Sequence, residues 1–182
     1  ETRASQEAIL TGRLIDRTLR PLFDSSVRNE VQVIITVLSI DHENDPDVIS
    51  MIAASTALAT SNIPWAGPIG ATRVGRVDGA LVLNPTYAER EKSDMDIVVA
   101  GIHGRVNMLE GDAAELAEAT VVEAITLAQS YVEKLIVFQN DIVKAIGAQK
   151  IAVPAKETDA AFVAFVESIV RAELEEILYQ PH

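Results

Sequence analysis

The chain contains no cysteine, which excludes disulfides and thiolate metal sites and fits a reducing compartment. No apolar run is long enough to span a membrane, so the sequence predicts a soluble protein. Basic residues are scarce: 15 Lys and Arg stand against 27 Asp and Glu, a formal charge of −12 that argues against nonspecific attraction to nucleic acid. Three histidines, His42, His103 and His182, lie too far apart for a metal-binding spacing and read as loop or terminal residues. Gly67, Gly70, Gly75 and Gly79 follow neither a dinucleotide fingerprint nor a phosphate-binding loop and read as turn glycines. Ser25-Ser26 lacks the flanking glycines of a nucleophile elbow. The opening "ETRASQEAIL" is neither a signal peptide nor an initiator methionine, so a piece of a longer protein is expected.

What remains is ample for folding: 182 residues, 48% of them hydrophobic, can form one domain or one domain with an appendage. Against the acidic background, "GRLIDRTLRPLF" places Arg13, Arg17 and Arg20 at offsets of four and three. On a helix those offsets turn by about 400° and about 300°, so the three guanidinium groups share one face within roughly 60°. A phosphate beside that face would feel it more than distant carboxylates, because screening acts over about 8 Å. The same pattern also fits a solvated helix face on which Asp16 pairs with Arg20 at i,i+4.

The element pattern is α+β. Ser5 is a candidate N-cap for a helix that runs to about Arg20 and stops at Pro21. Residues 31–40, "VQVIITVLSI", predict a strand buried on both faces. Asp45 caps and Pro46 opens a central helix whose small residues, Ala53 to Ala59, allow close packing. Asp78-Gly79 marks a hairpin turn, and a second strand pair runs from Ile97 through a turn at Gly104 to Met108. Apolar positions from Val121 to Leu135 recur at helical spacing in a long helix over about 113–146. "AQKIAVPAKE", residues 148–157, reads as a linker, and residues 158–179 as a further amphipathic helix. Asp94 and Asp96 stand just before a strong strand at a spacing that points both to one side. That placement would suit joint metal or acid-base work, but aspartates at a strand entrance are also ordinary turn residues.

The stretches "AILTGRLIDRTLRPLF", "NEVQVIITVLSID", "NDPDVISMIAASTALATSNIPWAGPIGATRVGRVDG", "LVLNPT" and "SDMDIVVAG" occur in the order and spacing of a known family. Together they resemble the first RNase PH-like core domain of the bacterial polynucleotide phosphorylases, in register from about Arg3 to Gly147. The resemblance implies an RNase PH-like (ribosomal protein S5 domain 2-like) core lacking its N-terminal strands. Residues 1–147 would form that partial core, and 148–182 the linker and start of an all-helical domain. It also implies a cytoplasmic, homotrimeric 3′ to 5′ exoribonuclease that consumes inorganic phosphate, releases nucleoside diphosphates and meets partners in RNA-degrading complexes. Arg3, Arg13, Arg17 and Arg20 stand where the family contacts RNA phosphates, while Arg28 lies outside that pattern.

In this family the phosphate and the magnesium or manganese ion belong to the second core domain, so no cofactor is expected in this segment. Where that second core opens a helix with phosphate-binding serines, this chain has Asn44-Asp45-Pro46-Asp47. Its two carboxylates would repel phosphate, and its proline lacks an amide donor. Asp96 matches one of two metal-binding aspartates, but Arg90 replaces the other and Val98 replaces the neighbouring lysine, so Asp96 is expected to be a remnant that caps or braces its strand. The expectation is a noncatalytic scaffold and RNA guide. The alternative is a stand-alone RNA-binding or structural module without a catalytic half.

Overall fold

The computed structural model describes residues 4–153 and 159–179. The chain divides into two compact units, Glu1–Ala152 and Val153–His182.

In the first unit, helix α1 (Gln6–Leu19) begins where expected, with the Ser5 hydroxyl accepting a hydrogen bond from the Ala8 amide at 3.1 Å. A 3₁₀ turn, Arg20–Leu22, ends it at Pro21. Leu14, Ile15 and Leu19 turn inward, whereas Arg13, Arg17 and Arg20 stay exposed. Helix α2 (Pro46–Thr60) is the central helix: Asp45 caps it, Pro46 opens it, and Met51, Ser55 and Ala59 are buried.

Four antiparallel strands follow, β1 (Gly70–Val77), β2 (Ala80–Leu83), β3 (Met95–Ile102) and β4 (Arg105–Ala113), in the spatial order β2-β1-β3-β4. The β1–β2 turn uses Asp78 and Gly79, both at positive φ, which is the geometry that matches strand twist and that glycine adopts without strain. A one-turn helix, α3 (Tyr87–Arg90), is fixed between β2 and β3 by a Thr86–Glu89 capping box. Alternation along β3 serves two cores. Ile97 and Val99 pack with Val74 of β1 against Ala124 and Ala128 of helix α4 (Glu118–Ile146), while Val98 and Ala100 pack with α1 and α2. β1 and α4 approach so closely that a Cβ on Gly70 would lie 2.5 Å from the Val132 carbonyl oxygen.

The expected strand over residues 31–40 does not form: the segment lies outside any helix or sheet ladder, and Ile34 and Leu38 are 76% and 92% exposed. β propensity is realised only where a neighbouring strand supplies donors and acceptors. Among the described residues none does so here. Val31, Val33 and Ile35 instead line a cavity of about 360 Å³ with Gly12, Ile15 and Leu19 of α1.

After α4 the chain turns back onto the C-terminus of α2. The Ala148 amide donates to the Thr60 carbonyl at 2.8 Å, and the Ile151 amide to the Asn62 carbonyl at 2.9 Å. The Lys150 ammonium donates to the carbonyls of Leu58, Ala59 and Ser61 at 2.7, 3.0 and 2.8 Å. A cation on the free carbonyls of a helix end satisfies them and complements the helix dipole. Lys150→Met should therefore lower stability by about 1 to 2 kcal/mol. A thermal melt should show a fall of about 2 to 8 °C, and an unchanged midpoint would mean that the ammonium adds nothing over solvation of the helix end.

In the second unit, helix α5 (Ala160–Leu178) starts at Asp159, whose carboxylate accepts from the amides of Ala161 and Phe162. Its expected apolar side, with Phe162, Phe165, Ile169, Leu174 and Leu178, is exposed.

Candidate nucleic-acid interface

The amphipathic register of α1 that buries Leu14, Ile15 and Leu19 necessarily puts Arg13, Arg17 and Arg20 on the outer face. Arg13 has no acidic partner among the described residues. Arg17 pairs with Glu110, reaching from α1 to β4, and both side chains are about half exposed. Arg20 pairs with Asp16 one turn back, with Nε 3.1 and 3.0 Å from the two carboxylate oxygens and Nη2 2.7 Å from one of them. The hydrogen bonds and charge of Asp16 raise the Arg20 pKa above its ordinary value. The i,i+4 pair read from the sequence thus forms, and the cationic face is still open to solvent. Arg3 lies outside the described residues.

A second charged cluster has the opposite character. The N-terminus of α2 brings Asp45 and Asp47 to one end of the sheet, β1 supplies Arg73, β3 supplies Asp96, and the capping box of α3 aims Arg90 at the same point. Arg73 donates through Nη2 to Asp47 and through Nη1 to Asp96. Arg90 donates to Asp45 at 2.8 Å and, through Nε, to Asp96 at 3.0 Å. The side chains of Asp47 and Arg73 keep only 6% and 10% of their exposure. Burial raises the Asp47 pKa above the usual carboxylate range, with the Arg73 charge working the other way. Burial likewise opposes the Arg73 charge, but Asp47 and Asp96 outweigh it and its pKa is raised.

This network of ion pairs bears on what the end of α2 can do, although the buried Arg73 Nε has no hydrogen-bond partner among the described residues. The carboxylates of Asp45 and Asp47 already accept from the Asp47 and Val48 amides, the donors a bound anion would use. Both oxygens of Asp96 are engaged by guanidinium groups, whose positive charges oppose a second cation there. These residues therefore fit neither phosphate nor a divalent metal. Asp94 and Asp96 take different partners: Asp94 pairs with Arg76 at 2.6 Å, apart from the network. Val98 is buried in the core. His103 sits at the β3–β4 turn with Nδ1 2.7 Å from Glu133, and His42 is a loop residue at positive φ. His182 lies outside the described residues.

The sequence reading missed Arg73. Its signal was present: Arg73 falls on the same face of β1 as the fully buried Ala71, so its charge required partners. Buried Gln139 of α4 gave no comparable signal, since one polar residue on a long amphipathic helix is unremarkable until its face is known.

Two models of one family match the chain: 3′ exoribonuclease family, domain 1, over residues 1–64, and domain 2 of the same family over residues 67–131. The polyribonucleotide nucleotidyltransferase of Brevibacillus brevis is 46% identical over 176 residues, covering 97% of this chain and 25% of that protein. That of Heliobacterium modesticaldum is 43% identical over 181 residues, covering 100% and 26%. The chain thus spans about a quarter of the length of the curated relatives it matches. The crystal structure of rice Rrp46 superposes with a TM-score of 0.63 at 14% identity, over 79% of this chain and 68% of that one, a likeness of fold. Among the described residues no helix is long and apolar enough to cross a membrane.

Proposed function

The chain belongs to the 3′ exoribonuclease family, and from that membership we propose that it is the first core of a polyribonucleotide nucleotidyltransferase, serving as scaffold and RNA guide. The whole enzyme would shorten RNA from its 3′ end, using inorganic phosphate to release nucleoside diphosphates. Phosphate and a divalent metal would be held by a second core domain. A cytoplasmic homotrimer, with further partners in RNA degradation, is the assembly this reading implies. Residues 1–147 would be the partial first core, and 148–182 the linker and start of a helical domain, the first residues of which are tied back to α2.

The observation that carries this reading is the contrast between two charged sites. At the end of α2, where an anion could be held for chemistry, guanidiniums and carboxylates already pair with one another. On α1 three guanidiniums face outward from a chain of net charge −12. Guanidinium forks bind phosphodiesters strongly and read no bases, as a guide for degradation requires. Arg3 would join them by its place in the sequence.

Two measurements test the proposal. The isolated chain, given labelled RNA, phosphate and magnesium, should release no nucleoside diphosphate; robust release abolished by Asp96→Ala would overturn the noncatalytic assignment. Replacing Arg13, Arg17 and Arg20 together by Ala should weaken binding of unrelated single-stranded RNAs about equally. It should also shrink the slope of log affinity against log salt by roughly 0.7 per lost contact. An unchanged slope accompanied by a lower melting temperature would show that the arginines are internal pairing partners instead.

A further inference from the structure

The three guanidiniums of α1 differ in availability. Arg13 has no acidic partner among the described residues, Arg20 is gripped through Nε and Nη2 by Asp16, and Arg17 is held by Glu110 of β4. A carboxylate seated on the Nε–Nη2 edge of an arginine occupies the donors that a phosphate would take in the same fork geometry. We propose that Asp16 and Glu110 are built-in competitors for RNA phosphate: they hold Arg20 and Arg17 in place on the free protein and must be displaced when RNA binds. This rests on the reading of α1 as an RNA contact.

Three features support the role. Each carboxylate side chain is 50% exposed, so no desolvated environment locks the pairs, and exchange of one anion for another is open from solvent. The competitors come from different elements, one from the same helix and one from a neighbouring strand. Glu110 therefore also fixes where the Arg17 guanidinium sits relative to the sheet. That placement is reinforced by the Asn107 side chain, which donates from β4 to the Thr18 carbonyl of α1 at 3.0 Å. Finally, the arrangement sets a threshold. An isolated anion gains little by displacing a carboxylate, whereas a polyphosphodiester that first engages Arg13 brings further phosphates to Arg17 and Arg20 at high local concentration.

The test uses the full chain and fluorescent oligo(U) and oligo(A) of equal length at fixed salt. Asp16→Asn and Glu110→Gln should each tighten binding by about twofold to fivefold, the scale of an exposed ion pair. Each gain should vanish when the cognate arginine is absent, so that Glu110→Gln has no effect in an Arg17→Ala background, and Asp16→Asn none in an Arg20→Ala background. Glu123→Gln, the same charge change at an exposed position of α4, should leave affinity unchanged. If Asp16→Asn and Glu110→Gln bind RNA as the unaltered chain does, or if Glu123→Gln tightens binding as much as they do, the competitor role is wrong while the RNA track stands. If alanine at all three arginines leaves RNA binding intact, the track itself fails and this inference fails with it.

Discussion

Arg73→Met is expected to destabilise the chain by about 3 to 5 kcal/mol at neutral pH, a large share of the stability of any single domain. The size follows from what is left behind. Removing the guanidinium leaves Asp47, almost fully buried, and Asp96 facing Asp45 with only Arg90 to balance three carboxylates. Asp47 is already pushed up by burial, and losing the opposing charge of Arg73 should push it up further. A carboxyl whose folded-state pKa is raised favours the folded protein more as pH falls through that value. The deficit of Arg73→Met should therefore be greatest at neutral pH and narrow toward acid, where the stranded carboxylates take up protons. Pairing the change with Asp47→Leu should recover part of the loss, since a matched apolar pair avoids the buried charge. Denaturant unfolding at two pH values reads all three effects. A loss below about 1 kcal/mol at neutral pH, independent of pH, would show that solvent reaches the cluster and that the network braces nothing.

The Arg73 cluster also shows what local sequence can and cannot convey. Asp45-Pro46 and Asp78-Gly79 were legible because their chemistry acts within a few residues: a cap needs only the next two amides, and a tight hairpin only two residues that tolerate positive φ. The long helix α4 was legible from its period, and so was the outward register of Arg13, Arg17 and Arg20. The carboxylates at the start of α2 stand together in the sequence, but their partners Arg73 and Arg90 lie 26 to 45 residues away and meet them only through the β1–β3 pairing and the capping of α3. Residues 31–40 failed for a related reason. A β-branched run states what a strand would look like, and whether a ladder exists depends on a second segment that the run does not contain. The fold was therefore readable wherever one segment determines its own structure. The site was readable only for the face of one helix.

Gln139→Leu should cost about 2 to 4 kcal/mol, although it replaces a polar core residue by an apolar one of similar size. Gln139 is completely buried where α4, α2 and the entry to β1 meet. Its Nε2 donates to the Ile69 carbonyl at 2.7 Å and to the Leu135 carbonyl at 3.2 Å, while its Oε1 accepts from Ser55 at 2.7 Å and from Thr56 at 3.1 Å. The Ser55 hydroxyl in turn accepts from the Ile69 amide at 2.9 Å, so one side chain completes the hydrogen bonding of residues just outside the first strand. Leucine supplies the volume and none of the partners. Thr56 retains the Ile52 carbonyl, but the Ile69 carbonyl loses its shortest donor in a place water does not reach. Gln139→Glu should be worse at neutral pH, because it buries a charge and turns an oxygen toward the Ile69 carbonyl, and its deficit should shrink in acid as the carboxyl becomes a donor. Equilibrium unfolding gives the magnitudes, and faster hydrogen exchange at the Ile69 amide would locate the damage. If Gln139→Leu were as stable as the unaltered chain and the Ile69 amide equally protected, the join between α4, α2 and β1 would owe its stability to apolar packing alone.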